Sequence, residues 1–304
     1  MLGLLRSSYY RRDVEHLHGF LEENGTFGFR RFANGLFPAA PFAGEQDASG
    51  YGHAWVRDNV HVAHAHYVWG DSEAAVRTAN ALMRFFQGQR PRMQKVAKYP
   101  RMAENAMNRP HIRFEGETMR ELPEKWPHAQ NDALGYFLWF YSKLAGEHRV
   151  GFGEEEKRCM ADLVRYLRAI RYWEDPDSGH WEEVKKVSAS SIGAVVAGLS
   201  GLQQLLDSPS GREGPEKTPD RADVAELIGK GKAALDQILP YECRGHKNGG
   251  QRRYDAALLF LIYPLRVVSG AMARSILGDV KTNLQGIIGI RRYIRDSYWC
   301  PDYR

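Results

Sequence analysis

The stretch Ile192-Gly193-Ala194-Val195-Val196-Ala197-Gly198-Leu199-Ser200-Gly201-Leu202-Gln203-Gln204-Leu205-Leu206 decides the fold class. Its large aliphatic residues Ile192, Val195, Val196, Leu199, Leu202 and Leu206 recur at three- and four-residue steps, which is one face of an α-helix. Working outward, the same period returns in both directions. Tyr10, Val14, Leu17 and Leu21 form one stripe, and Ala75, Ala79, Leu82 and Phe86 form another, with Asp71 or Ser72 placed to cap it. Met160, Leu163, Val164, Leu167 and Ile170 make a fourth stripe, and Val224, Leu227, Ile228, Leu235 and Ile238 a fifth. The segments Val56–Trp69, Asp132–Leu144, Asp255–Val267 and Ile276–Leu284 read as helices too. Helices with one apolar face must bury those faces against one another, and sequential antiparallel hairpins achieve it.

Strand signals are sparse. The best is Pro110–Gly116, a short alternating piece inside a connection read as irregular over residues 87–130, a length that usually signals function. Asp207 to Asp220 is rich in Ser, Pro and Gly and reads as a surface loop between two helices rather than a domain linker. No short repeat is present, so a solenoid is disfavoured. Residues 1–304 are taken as one all-α domain.

Composition narrows the function classes. The 304 residues are 43% hydrophobic and 26% charged, compatible with a sizeable core. The 42 Lys and Arg exceed the 37 Asp and Glu by five, and the basic residues are scattered, so nucleic acid is not an expected partner. No run approaches the ~18 consecutive apolar residues of a membrane span, and the opening Met1–Arg6 is too short for a secretory signal. Cys159, Cys243 and Cys300 form neither a zinc pattern nor a disulfide framework, and read as free thiols in a cytoplasmic setting. His61-Val62-Ala63-His64 places two imidazoles on one helix face, but with no third ligand at a fixed spacing these read as core or surface histidines, and no metal or cofactor is expected. No Gly-rich phosphate loop or Ser-His-Asp spacing stands out.

Four polar-aromatic segments carry the candidate chemistry. Trp55-Val56-Arg57-Asp58 offers a flat apolar face and directed donors and acceptors just where a helix begins, although a helix N-terminus alone would explain Asp58. Trp126-Pro127-His128-Ala129-Gln130-Asn131-Asp132 clusters an aromatic, an imidazole, amides and a carboxylate at another helix start. Gly179-His180-Trp181-Glu182-Glu183 follows the turn Asp175-Pro176-Asp177-Ser178, and a carboxylic acid against an indole wall suits proton donation to a glycosidic oxygen, because burial raises its pKa. Adjacent residues point in different directions, so Glu182 and Glu183 cannot share one role. Gly289–Trp299 mixes charges and aromatics with no amphipathic period.

Taken in order, Trp-x-Arg-Asp, Trp-x5-Asp, Gly-x-Trp-Glu-Glu and Arg292-Tyr293-x-x-Asp296-x-Tyr298 resemble glycoside hydrolase family 15, which contains the glucoamylases and the related domain of the phosphorylase kinase α and β subunits. The resemblance spans about Tyr51 to Tyr298. It implies a six-hairpin (α/α) barrel with the site in the loops at its mouth. By position, it implies that Glu182 is the general acid and Glu183 a substrate-binding carboxylate. Arg57 and Asp58 would hold the terminal sugar's hydroxyls, Trp55, Trp126 and Trp181 would line the sugar site, and Arg292 would bind a further hydroxyl. The implied substrate is an α-glucan or maltooligosaccharide, cleaved with inversion, which requires a second carboxylate roughly 6.5–9.5 Å from the acid. In the family that base follows the last motif, so it is expected beyond Arg304, with the closing hairpins of the barrel. The kinase-subunit resemblance implies an alternative, a regulatory module that binds glycan or a protein partner without turnover.

Overall fold

In the computed structural model the described residues are 6, 8–40, 50–208, 219–245, 250–287 and 289–296. Tyr298 and Trp299 of the last motif, Cys300, and most of the expected loop at 207–220 lie outside them. The described elements are α1 (Arg11–Glu23), β1 (Ala54–Trp55), α2 (Val56–Trp69), α3 (Ser72–Lys98), β2 (Arg113–Phe114), α4 (Asn131–Gly146), α5 (Glu154–Ala169), α6 (Ala189–Asp207), α7 (Arg221–Ile238), α8 (Leu259–Ile262) and α9 (Gly270–Asn283).

The helices form two layers. In the inner layer α2 packs on α4 and α4 on α6; in the outer layer α3 packs on α5. The layers join through α2 with α3 and α6 with α7. Two of the expected sequential hairpins are therefore present, while α5 takes α3 rather than α4 as its principal neighbour. One contiguous apolar core runs from Leu36 to Leu284. The arrangement is an all-α fold of the (α/α) barrel type.

Local chemistry explains the boundaries. Asp71 caps α3 by accepting from the Ala74 N–H at 3.1 Å, and Gly70, at φ 104°, ends α2 in a left-handed conformation that costs glycine nothing. The close approach of α4 and α6 depends on glycine: a Cβ at Gly135 would lie 2.4 Å from the Ala194 carbonyl carbon, and one at Gly198 would lie 2.7 Å from the Gly135 carbonyl oxygen. α6 is long and apolar enough to cross a bilayer by length and composition, yet most of it is buried within this core.

Four expectations need correction. Residues 87–98 are not irregular: α3 runs on to Lys98 through Pro91, and short 3₁₀ turns follow at Pro100–Glu104 and Ala106–Asn108. Pro91 sits on the exposed side, while Leu82, Phe86, Gln89, Met93 and Val96 continue the buried stripe across it. That burial offsets the roughly 3 kcal/mol penalty of an internal proline. The helix expected over 255–267 is one 3₁₀ turn (Ala256–Leu258) plus the four-residue α8, ended before Pro264. α1 forms as its stripe predicts but buries no residue, and Val14 remains 54% exposed. The strand expected at 110–116 shrinks to Arg113–Phe114, paired antiparallel with Ala54–Trp55, so that Trp55 lies opposite Arg113.

Candidate active site

The N-terminal ends of α2, α4 and α6, with the loops before them, bring distant segments together. Trp55 is the last residue of β1 and the N-cap position of α2, so the β1–β2 pairing fixes where its indole starts. Arg57 and Asp58 follow in the first turn of α2. The start of α4 is stitched to the turn that precedes α6. The Asn131 N–H donates to Asp177 Oδ2 at 2.8 Å, the Asn131 amide donates to Asp175 at 2.9 Å, and the Ser178 N–H donates to the Ala129 carbonyl at 2.7 Å. Arg109 grips Asp175 with both guanidinium ends, at 2.6 and 2.8 Å.

Arg57 is the hub. Its Nη1 donates to Asp132 Oδ2 at 2.9 Å and to Gln130 Oε1 at 3.0 Å, and its Nη2 meets Glu182 Oε1 at 3.4 Å. Burial alone would lower the Arg57 pKa, but Asp132, Glu182 and Asp58 together hold it above its ordinary value, so it stays charged. Asp58 is pushed up by burial, and by Glu182 and Asp132, against the opposing pull of Arg57. His180, 3.7 Å from Asp132, is driven well below its usual range by burial and by the Arg57 charge, so it is a neutral imidazole.

Glu182 sits where the four segments meet. Its Oε1 accepts from the Trp55 indole N–H at 2.8 Å and the Gln130 amide at 3.0 Å, as well as from Arg57. Its Oε2 has no hydrogen-bond partner among the described residues. The indole contact differs from the expected one. Trp55 offers its N–H rather than its face, and Trp181, expected to wall Glu182, turns its own N–H to Asp255 Oδ1 at 2.8 Å. The physical reason lies in the backbone: Glu182 adopts φ 56°, a left-handed turn that swings neighbouring side chains apart and costs about 1 kcal/mol or more for a non-glycine residue.

Glu183 points the other way, as adjacency predicts. Arg252 holds both its oxygens at 2.7 Å, and Lys186 lies 3.4 Å from Oε1. Although burial pushes the Glu183 carboxyl up, Arg252 and Lys186 hold it below the usual carboxylate range. Trp126 meets Trp55 edge to face at 5.8 Å, and the Arg113 guanidinium lies 4.2 Å from the Trp126 ring centroid and 5.1 Å from that of Trp55. Arg292 lies 5.5 Å over the Trp181 ring and pairs with Asp296. Seven of the eight sequence-selected residues thus belong to one contact network, with Arg292 joined to it through Trp181, and Asp58 is coupled to Arg57 through its charge.

A cavity of about 580 Å³ opens beside this network, a size suited to small ligands. Phe29, Phe37, Arg57, Asp58, His180 and Trp181 are among its lining residues. Trp55, Trp126, Glu182, Glu183 and Arg292 are not, and Glu182 meets the cavity through Arg57. Among the described residues no three His, Cys, Asp or Glu side chains cluster as a metal site. His61 instead packs against Tyr136 and Phe260, with its pKa lowered by burial to about 3.

Several site residues escaped the sequence reading. Gln130 and Asp132 stand in a quoted segment, but nothing in its spacing marks Asp132 as the anchor of Arg57. Arg113, Arg252 and Asp255 stand outside the four motifs. The signal available for the last two was Arg252-Arg253-Tyr254-Asp255, another polar-aromatic cluster without helical period.

Comparison with known proteins fits this geometry. Residues 27–228 match the family described as "Glycosyl hydrolases family 15". A Drosophila melanogaster protein described as "Probable phosphorylase b kinase regulatory subunit alpha" is 27% identical over 326 residues, covering 98% of this chain and 24% of its own length. The Takifugu rubripes liver isoform of the same subunit is 26% identical, covering 90% of this chain and 23% of its own length. The chain therefore spans about a quarter of the length of these curated relatives. Among solved structures, a wild-type glycosidase superposes with a TM-score of 0.75 at 20% identity, covering 96% of this chain and 76% of that one. A bacterial glucoamylase complexed with acarbose gives 0.58 at 16% identity, covering 87% and 40%. These two likenesses establish the fold.

Proposed function

From the premise that the chain belongs to glycosyl hydrolase family 15, we propose that it binds the non-reducing end of an α-glucan or maltooligosaccharide and cleaves it with inversion, with Glu182 as general acid. Arg57 and Asp58 hold hydroxyls of the terminal sugar from the cavity wall, where Trp181 supplies apolar surface for its ring; Trp126 flanks the site, and Trp55 aims its N–H at the acid. Glu183 and Arg292 bind further hydroxyls, Glu183 through lone pairs that Arg252 leaves open. Water is activated by a second carboxylate on the opposite side of the ring. The proposed setting is the cytoplasm, where thiols such as those of Cys159 and Cys243 stay reduced.

One observation carries the reading. Three donors occupy Glu182 Oε1, while Oε2 has no partner among the described residues. A proton given up by this carboxyl therefore leaves from Oε2, and the other oxygen is held against rotation, which is the preorganisation that proton donation at a fixed point requires.

A second reading, glycan or protein binding without turnover, is favoured by the descriptions of the curated relatives as kinase regulatory subunits. Glucose release from maltotriose, measured beside calorimetric binding of the same sugar, separates the two. Release that Glu182→Gln abolishes supports hydrolysis. Binding without release, both in this chain and in one extended past Arg304, selects the second reading, and release unchanged in Glu182→Gln rejects Glu182 as the acid.

A further inference from the structure

Glu182 is held in a left-handed backbone conformation, and the residues on either side of it are gripped from one distant segment. On one side, the Trp181 indole N–H donates to Asp255 Oδ1 at 2.8 Å. On the other, Arg252 takes both oxygens of Glu183 at 2.7 Å. The two grips are themselves joined, since Arg252 Nη1 also donates to Asp255 Oδ2 at 3.1 Å. Asp255 is fully buried and anchored, because its Oδ1 also accepts the Ala257 N–H at 2.8 Å. Arg252 lies over the Tyr293 ring at 3.9 Å, and its backbone pairs with Cys243. Within the turn itself only two backbone bonds hold the strained residue, from the Glu182 N–H to the Gly179 carbonyl at 3.2 Å and from the Glu183 N–H to the Ser178 carbonyl at 3.0 Å.

We propose that Arg252 and Asp255 form a bracket that holds Trp181 and Glu183 in place and so fixes the left-handed turn that presents the Glu182 carboxyl to Trp55, Gln130 and Arg57. Neither bracket residue touches Glu182. They are positioning residues, acting through its neighbours on both sides, and the role of the carboxyl they position is the functional reading above, on which this proposal rests. A residue at positive φ keeps that conformation only where its surroundings over-determine it. Loosening either grip lets the turn relax toward an ordinary conformation and draws Oε1 away from its donors.

The test reads the mechanical link separately from turnover. The chain has seven tryptophans, and indole-labelled protein gives one N–H resonance for each, with Trp55 and Trp181 assigned through Trp55→Phe and Trp181→Phe. Asp255→Asn perturbs the bracket at its buried end. Should that variant fail to fold, Arg252→Lys keeps the charge but loses the two-pronged grip on Glu183. The expected result is that the Trp55 resonance moves in either variant, although Trp55 contacts neither residue, because its acceptor Glu182 has shifted. A Trp55 resonance that stays fixed overturns the proposal, whether or not Trp181 moves. If the wild-type chain cleaves maltotriose, kcat in the variants falls about tenfold to a hundredfold, with a smaller change in KM. A rise in KM at unchanged kcat would make the bracket a binding element only and would also overturn the proposal. Absence of turnover leaves the Trp55 resonance to judge the bracket.

Discussion

Gly135→Ala probes the packing on which the site is mounted. The new Cβ would lie 2.4 Å from the Ala194 carbonyl carbon, 2.5 Å from the Val195 nitrogen and 2.6 Å from the Ala194 oxygen, all backbone atoms of α6. Non-bonded carbons rest at about 3.5–4.0 Å, so the overlap is about 1 Å and no side-chain rotation relieves it. The two inner helices must separate. Overpacking of this kind costs about 1–3 kcal/mol, against about 1 kcal/mol gained by replacing glycine with alanine in a helix. The rigid backbone partner puts the cost at the upper end, for a net loss of about 2 kcal/mol. With roughly 2–4 °C per kcal/mol in domains of 150–250 residues, Tm should fall by about 4–8 °C. Gly229→Ala is the internal control. Gly229 is exposed in the interior of α7 with nothing within 4 Å of the added carbon, so the same substitution should stabilise by about 0.5–1 kcal/mol. Differential scanning calorimetry of both variants decides the matter. A Gly135→Ala protein with Tm equal to or above that of wild type would refute the close-approach argument.

Two further outcomes follow from the buried charges. Arg57→Lys keeps one positive charge but cannot serve Asp132, Gln130 and Glu182 together, which leaves a fully buried carboxylate short of a partner. Urea unfolding should show a loss of about 2–3 kcal/mol, and an unchanged midpoint would contradict the role of Arg57 as the hub. Asp177 is pushed up to about 7 by burial and by the nearby Asp132 charge, so the folded state keeps a proton that the unfolded chain releases above about pH 4. More protons bound when folded means that this group's contribution to stability falls as pH rises, from about 4 to about 7. Thermal scans across that range should show Asp177→Asn gaining on wild type as pH increases, and a constant difference would reject the buried neutral carboxyl.

The helices were legible because their signals are local. The segments read for α2, α4, α6 and α7 mark real helices within three residues at each end, and those for α5 and α9 fall in helices that begin six residues earlier, since a repeat of 3.6 residues is written in neighbouring positions. Pro91 marks the limit of such local signals. A proline argues locally against a helix, and only the burial of Met93 and Val96 beyond it shows why α3 continues. Around the site, the four polar-aromatic motifs located Glu182 and most of the side chains gathered about it.

Sequence by itself therefore determined the all-α class, the family, and many of the residues that meet at the N-terminal ends of the inner helices, because period, capping and motif are properties of short segments. The tertiary structure decided how those residues are joined. Arg113 lies against Trp55 and Trp126 because β1 and β2 pair across 57 intervening residues. Arg252 and Asp255 reach Glu183 and Trp181 from some 70 residues away. Such pairings depend on how closely helices dock, down to the missing Cβ of Gly135, and no local pattern carries that distance.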